Sequence, residues 1–299
     1  MILENSQKID FTNKYGHAFN LELSEPIEKI KGKYLIVFNN GLLCGHAWWY
    51  YTARFLSEHH YPILLYQYRA HLTREILEES EYSFEKLAFD LESILDHLNI
   101  KKIILIGHSM GVNVCLEFAK MFPKQVQAMV LISGTALPPL DFMFNSGHMK
   151  YVFHFAKKII ERIPSTFDKI WKTTNKNPLS INMIHKFGVN SKVVSKNLVK
   201  RYLKEMNEMP HELLFIMLYK MNSHEIIYDL SKIKTPSLII GGTKDLICPI
   251  TLQLSMHKRM DNSEFYEVPE GSHVPQIDYP RLVNERILLF LTKSIKKSK

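Results

Sequence analysis

The apolar run Lys102-Ile103-Ile104-Leu105-Ile106 leads directly into Gly107-His108-Ser109-Met110-Gly111, and a helical pattern over residues 112–122 follows. A short apolar run of this kind reads as a buried strand, so the pentapeptide lies between a strand end and a helix start. A chain passes from strand to helix that abruptly only where the flanks of the turn carry no side chains. This assigns Gly107 and Gly111 to a supporting turn around Ser109. The turn lifts the Ser109 hydroxyl clear of the sheet edge. The first helical turn leaves backbone N–H groups free to meet negative charge.

The rest of the chain repeats the alternation. Residues 34–38, 63–68, 102–106, 128–132 and 237–240 are rich in Ile, Val, Leu and Tyr, and 264–268 adds a sixth run before Pro269. Near-continuous apolar character is what a parallel strand covered on both faces requires. Between the runs, residues 84–98 place Leu87, Ala88, Leu91, Ile94, Leu95 and Leu98 on one helical face, and 282–291 repeats the pattern near the end. Residues 8–11 and 17–23 predict an antiparallel pair around a turn at Asn13-Lys14-Tyr15-Gly16. The expected fold is α/β: a mostly parallel eight-stranded sheet with helices on both faces.

The alternation stops between Pro138 and Asp229. This stretch is helical and basic, and it carries Met143, Met149, Met183, Met206, Met209, Met217 and Met221. It predicts a helical insertion after the sixth strand, with a core formed by residues 1–137 and 230–299 and the insertion spanning 138–229. Met and Phe at helical spacing are core residues by default, but an insertion over a site shapes its entrance, and flexible thioethers line adaptable apolar pockets. The formal charge of +8 is concentrated here. Residues 141–234 hold 16 Lys and Arg against 8 Asp and Glu, so the remainder is neutral. The default reading is a solvated helical surface; such a surplus also tolerates an anionic substrate or a membrane surface.

Several classes of function are not expected. No apolar run reaches the ~18 residues that span a bilayer, and the opening residues Met1–Lys8 lack the pattern of a signal peptide. Cys44, Cys115 and Cys248 are few, odd in number and far apart, which suits a reducing compartment and the cytoplasm rather than a disulfide framework. No Cys or His spacing matches a zinc site, so neither a metal nor another cofactor is expected. No nucleic-acid motif accompanies the basic stretch.

A serine hydroxyl needs a base to take its proton, and the base must be held by an acid. His273 lies in Glu270-Gly271-Ser272-His273-Val274-Pro275, directly after the last predicted strand. Asp245 lies in Gly241-Gly242-Thr243-Lys244-Asp245, directly after the strand before it. The default for Asp245 is a turn or capping aspartate, and Asp141 is the reserve acid. An oxyanion site would use two backbone N–H groups: that of Met110, after the serine, and that of Leu42, in the loop Asn39-Asn40-Gly41-Leu42-Leu43. Gly41 is expected there for unusual backbone angles.

Together, Gly-Leu after the third strand, Gly-His-Ser-Met-Gly, Gly-Thr-Lys-Asp-Leu-Ile-Cys-Pro and Gly-Ser-His resemble the α/β-hydrolase superfamily, in its serine branch with a helical cap. The resemblance covers about residues 30–135 and 235–292. It implies Ser109 as nucleophile, Asp245 as acid, His273 as base, and Leu42 and Met110 as oxyanion donors. Two departures stand out. Asn40-Gly41 replaces the His-Gly of many relatives, and Gln67-Tyr68-Arg69-Ala70-His71-Leu72 lacks the glycines of Asp-x-Arg-Gly-x-Gly, so that loop must take another path. The implied activity is hydrolysis of a small-molecule carboxylic ester, lipid-like or anionic, through an acyl-enzyme. Acyl transfer, thioester hydrolysis and carbon–carbon cleavage use the same three residues. A non-catalytic binding protein would be expected to have lost one of them.

Overall fold

The computed structural model describes residues 3, 6–30, 32–69 and 76–296. Its strands are β1 (Gln7–Thr12), β2 (Ala18–Leu23), β3 (Leu35–Asn39), β4 (Ile63–Tyr66), β5 (Ile103–His108), β6 (Val126–Ile132), β7 (Ser237–Gly242) and β8 (Ser263–Val268). They form one sheet in the order β1-β2-β4-β3-β5-β6-β7-β8. β1 pairs antiparallel with β2, and β2 with β4; every other pairing is parallel. The N-terminal hairpin closes as predicted, with Asn13 N–H donating to His17 O at 2.9 Å and Gly16 in the left-handed region at φ 84°.

Helices cover both faces. They are α1 (Ile27–Ile30), α2 (Tyr50–Glu58), α3 (Phe84–His97), α4 (Met110–Met121), α5 (Met149–Arg162), α6 (Pro164–Trp171), α7 (Pro178–Phe187), α8 (Lys196–Asn207), α9 (Glu212–Ser223), α10 (Ile250–His257), α11 (Pro275–Asp278) and α12 (Pro280–Lys296). All residues of β3, β4 and β5 are buried. Their side chains divide by the two-residue period of a strand. Leu35, Val37, Ile103 and Leu105 pack with Leu91 of α3 and Phe118 of α4, whereas Ile36, Phe38, Ile104 and Ile106 pack with Leu56 of α2 and Phe290 of α12. Double coverage is why these runs are apolar at every position.

Some boundaries differ from expectation. β4 stops at Tyr66, not at 68. Tyr68 instead donates its hydroxyl to Asn40 O at 2.9 Å, and Arg69 grips Asp90 of α3 with two bonds of 2.7 Å. The predicted detour of the loop beyond Arg69 falls at residues 70–75, outside the described residues. β5 runs on to His108, so the glycine of the turn still belongs to the strand. Helices α5–α9 and five short 3-10 turns fill the stretch between β6 and β7. Among the described residues no helix is long and apolar enough to cross a membrane.

From β3 the chain moves outward to β4 on one side; from β5 it moves outward through β6, β7 and β8 on the other. The crevice at the carboxyl ends of β3 and β5 is therefore the point where the winding reverses. Open α/β sheets bind ligands at such a point.

Candidate active site

Ser109 stands between β5 and α4 with φ 54° and ψ −120°. A non-glycine residue held there costs on the order of 1–3 kcal/mol, and the surroundings leave it no alternative. Its N–H donates to Ile132 O at 2.9 Å, which ties the turn to the end of β6. The flanking glycines are required by close approach. A Cβ on Gly111 would lie 2.1 Å from Asn39 O, and one on Gly107 would lie 2.6 Å from Gly111 O. Gly134, which the sequence did not single out, completes the enclosure: a Cβ there would meet Val112 at 2.3 Å.

His273, in the loop after β8, brings Nε2 to 3.1 Å from Ser109 Oγ. Its Nδ1 donates to Asp245 at 2.9 Å to Oδ2 and 3.1 Å to Oδ1. Asp245, in the loop after β7, also accepts the N–H groups of Ile247 and Cys248, each at 2.9 Å on Oδ1. It is thus a turn-capping aspartate and a partner of His273 at once, and the two readings of it were never exclusive. The carboxylate is buried, while the imidazole keeps 13 % exposure. Asp141 is elsewhere: it is partly exposed and pairs with Lys150 at 3.3 Å.

The loop Asn39–Leu43 corrects one expectation. Gly41 does not have a positive φ; that conformation falls on Leu43, at φ 53°. Gly41 is needed for room, because a Cβ would sit 3.0 Å from His108 Nδ1 and 3.3 Å from Ser109 Cβ. Cys44 N–H closes the turn onto Gly41 O at 3.2 Å. The Leu42 N–H, inside this turn, bonds to no backbone acceptor among the described residues. The Met110 N–H is the first of α4 and has no carbonyl one turn back. Asn40, the departure from His-Gly, is buried. It accepts Trp49 Nε1–H at 2.8 Å and donates to Tyr66 O at 3.0 Å, so both ends of the amide anchor the loop.

Other contributors were missed. His108 donates from Nε2 to the backbone O of His273 at 2.8 Å, and its Nδ1 is buried without a partner. Burial, then the neighbouring His273 ring, pushes its pKa down to about 3 and keeps the ring neutral, and the carbonyl at Nε2 sets the Nε2–H tautomer. Asp278 accepts Ser272 N–H at 2.6 Å and Asn190 N–H at 3.0 Å. Asn190 belongs to the stretch between β6 and β7, so that stretch helps to hold the His273 loop. His108 was visible inside the pentapeptide; the Asp278–Asn190 contact spans 88 positions and left no local signal.

A cavity of about 450 Å³ opens beside Ser109 and His273. Its walls come from Leu42, Trp48, Met143, Phe144, Met206 and Leu218, among others, and are overwhelmingly apolar. Of the seven methionines noted in the sequence, Met143, Met183, Met206 and Met221 reach it. The helical stretch is thus both core and wall. Phe144, held at φ 56°, donates its N–H to Leu246 O at 2.6 Å and so links the wall to the Asp245 loop. Among the described residues, no group of three or more His, Cys, Asp or Glu could hold a metal ion.

Comparison with known proteins agrees with this architecture. The model of a family described as alpha/beta hydrolase fold matches residues 34–280. YugF, an uncharacterized hydrolase of Bacillus subtilis, is 24% identical over 70% of this chain and 72% of its own. RutD of Caulobacter segnis, a candidate carbamate hydrolase, is 22% identical over 88% of this chain and 92% of its own. The solved structure of an esterase from Exiguobacterium antarcticum superposes with a TM-score of 0.73 at 17% identity, covering 96% of this chain and all of that one.

Proposed function

The chain belongs to the alpha/beta hydrolase fold family, and from that premise we propose that it is a serine hydrolase cleaving carboxylic esters with an apolar acyl or aromatic group. The reading rests on the 3.1 Å approach of His273 Nε2 to Ser109 Oγ, backed by Asp245 on the far side of the ring. Ser109 Oγ attacks the ester carbonyl carbon as its proton passes to His273 Nε2. Asp245 stabilises the imidazolium. The carbonyl oxygen gains negative charge and is met by the N–H groups of Leu42 and Met110, each such donor being worth about 3 kcal/mol of barrier. Collapse breaks the carbon–oxygen bond of the leaving alcohol, which takes the proton from His273. Water, deprotonated by the same imidazole, then attacks the acyl-enzyme and releases the acid. No step needs a cofactor.

The substrate class follows from the cavity. Its apolar walls would stabilise a hydrocarbon group by about 25 cal/mol per Å² buried, and they offer little to a small polar substrate such as a carbamate. Residues 138–229 would act as a cap, since they supply Met143, Phe144, Met206 and Leu218.

A fluorophosphonate probe tests the nucleophile: it should label the wild type and leave Ser109→Ala unlabelled. Equal hydrolysis of p-nitrophenyl esters by the two proteins would overturn the assignment. A series of esters of increasing acyl length, with thioesters alongside, reads the substrate class; kcat/KM that falls steadily with chain length would contradict an acyl-binding cavity.

A further inference from the structure

Eight of the fourteen residues of α5 are apolar, and none of its residues is buried. An amphipathic helix in a soluble domain turns its apolar stripe inward. Here the inner face is occupied by Met149 and Phe153, which pack on Leu140, Met143 and Leu218. A second apolar stripe faces outward. Tyr151, Phe155 and Ile159 follow one another at four-residue spacing, with Val152 beside them; Tyr151 and Phe155 are each 65 % exposed and Val152 54 %. Ile163 extends the stripe past the helix end. Exposed apolar surface of this extent marks a contact face.

The turn that precedes α5 leads to the cavity. Phe144 in that turn lines the cavity and is itself exposed, and its ring lies 6.5 Å from that of the exposed Phe187 on α7. The surface beside the cavity is therefore apolar at Phe144, in the turn before α5, and at Phe187, at the end of α7.

Charge identifies what would cover it. α5 carries Lys150, Lys157, Lys158 and Arg162 against a single acid, Glu161. Lys158 and Arg162 border the stripe, and neither has an acidic partner within salt-bridge distance among the described residues. Lys186 sits beside Phe187, 5.3 Å from its ring. A second copy of the same face would set Lys158 and Arg162 against cations of its own kind. An anionic lipid surface satisfies both parts: the apolar stripe enters the acyl boundary, and the basic flank meets the headgroups.

We propose that the outer face of α5, together with Phe144 and Phe187, docks the protein onto an anionic lipid surface. That docking would deliver an apolar ester to Ser109 rests on the function proposed above; the docking itself does not.

Flotation of the full chain with vesicles of ether-linked lipids, which offer no ester to cleave, tests it. Binding to phosphatidylcholine containing about one-third phosphatidylglycerol should exceed binding to phosphatidylcholine alone by at least about tenfold, and high salt should weaken it. The pairs Phe155→Ser with Ile159→Ser, and Lys158→Glu with Arg162→Glu, should each reduce binding at least about tenfold. Both should keep the wild-type melting transition and turnover of a water-soluble short-chain ester. Absence of binding to the anionic vesicles overturns the proposal, as does binding indifferent to both pairs. So does a wild-type dimer that the substitutions dissolve without any effect on flotation. Vesicle binding by a wild type that turns over no ester would sustain the docking and sink the catalytic reading.

Discussion

The sheet and the helical stretch between β6 and β7 solve different problems with the same apolar residues. In the sheet, β3, β4 and β5 bury every position, and glycines permit approaches that any side chain would block. In the helical stretch, α5 has no buried residue and α7 only Ile181, and large apolar side chains face both the cavity and the solvent. Close packing makes the first region intolerant and geometrically exact enough to hold the proposed proton relay. Helices α5 and α7 of the second region are loosely packed, outside the buried α8 and α9, and can follow the shape of what they contact. The proposed chemistry belongs to the first region and the proposed selectivity to the second.

Three comparisons sharpen that contrast, beginning with the largest expected effect. Asp245→Asn should lower kcat by about 10³–10⁴-fold, because the amide no longer stabilises the imidazolium or enforces the tautomer. Asp141→Asn, at the entrance of the helical stretch, should change kcat less than about twofold, since its partner is Lys150 and the pair is partly exposed. A reversed order in steady-state kinetics would reassign the acid.

The second comparison sets glycine against glycine. Gly111→Ala places a methyl group 2.1 Å from Asn39 O and should cost about 3 kcal/mol or more in urea unfolding, because backbone must move on both sides. Gly147→Ala, in the helical stretch, meets nothing within 4 Å and has no positive φ, so it should stay within about 0.5 kcal/mol of wild type. Equal losses would mean that the two regions are packed alike.

The third concerns acid. His108 is fully enclosed and its folded pKa is depressed to about 3 against 6.5 in the unfolded chain. The unfolded state therefore takes up a proton below pH 6.5 that the folded state refuses, and stability falls as pH drops from there toward 3. At pH 4 the loss from this one group is about 3 kcal/mol. His108→Gln keeps an amide donor for His273 O and removes the titration. Its stability should decline less steeply than wild type between pH 7 and pH 4, as measured by denaturant midpoints; parallel curves would contradict the assignment.

Much of the fold was legible because local rules and global fold agreed. The buried runs announced strands by lacking polar alternation, and Leu87, Leu91 and Leu95 announced α3. Gly107, Ser109 and Gly111 announced the turn, since an apolar run precedes them and a helical pattern follows. Chain order and positions directly after the last two predicted strands suggested Asp245 and His273. The sequence could not assign the positive φ to Leu43 rather than Gly41, because what matters at Gly41 is the nearness of His108 and Ser109, and both come from another strand. Nor could it show that Asn190 would brace the His273 loop through Asp278.

The sequence by itself determined the α/β class, the strand-to-helix turn around Ser109 and the candidates Asp245 and His273, because strand and helix periods and turn chemistry act over a few neighbours. Only the tertiary structure decided that Ser109 and His273 stand 3.1 Å apart, that the methionines divide between core and cavity wall, and that the second apolar stripe of α5 faces outward. Those outcomes depend on contacts between segments far apart in the chain, where packing in three dimensions, and no local preference, sets which surfaces meet.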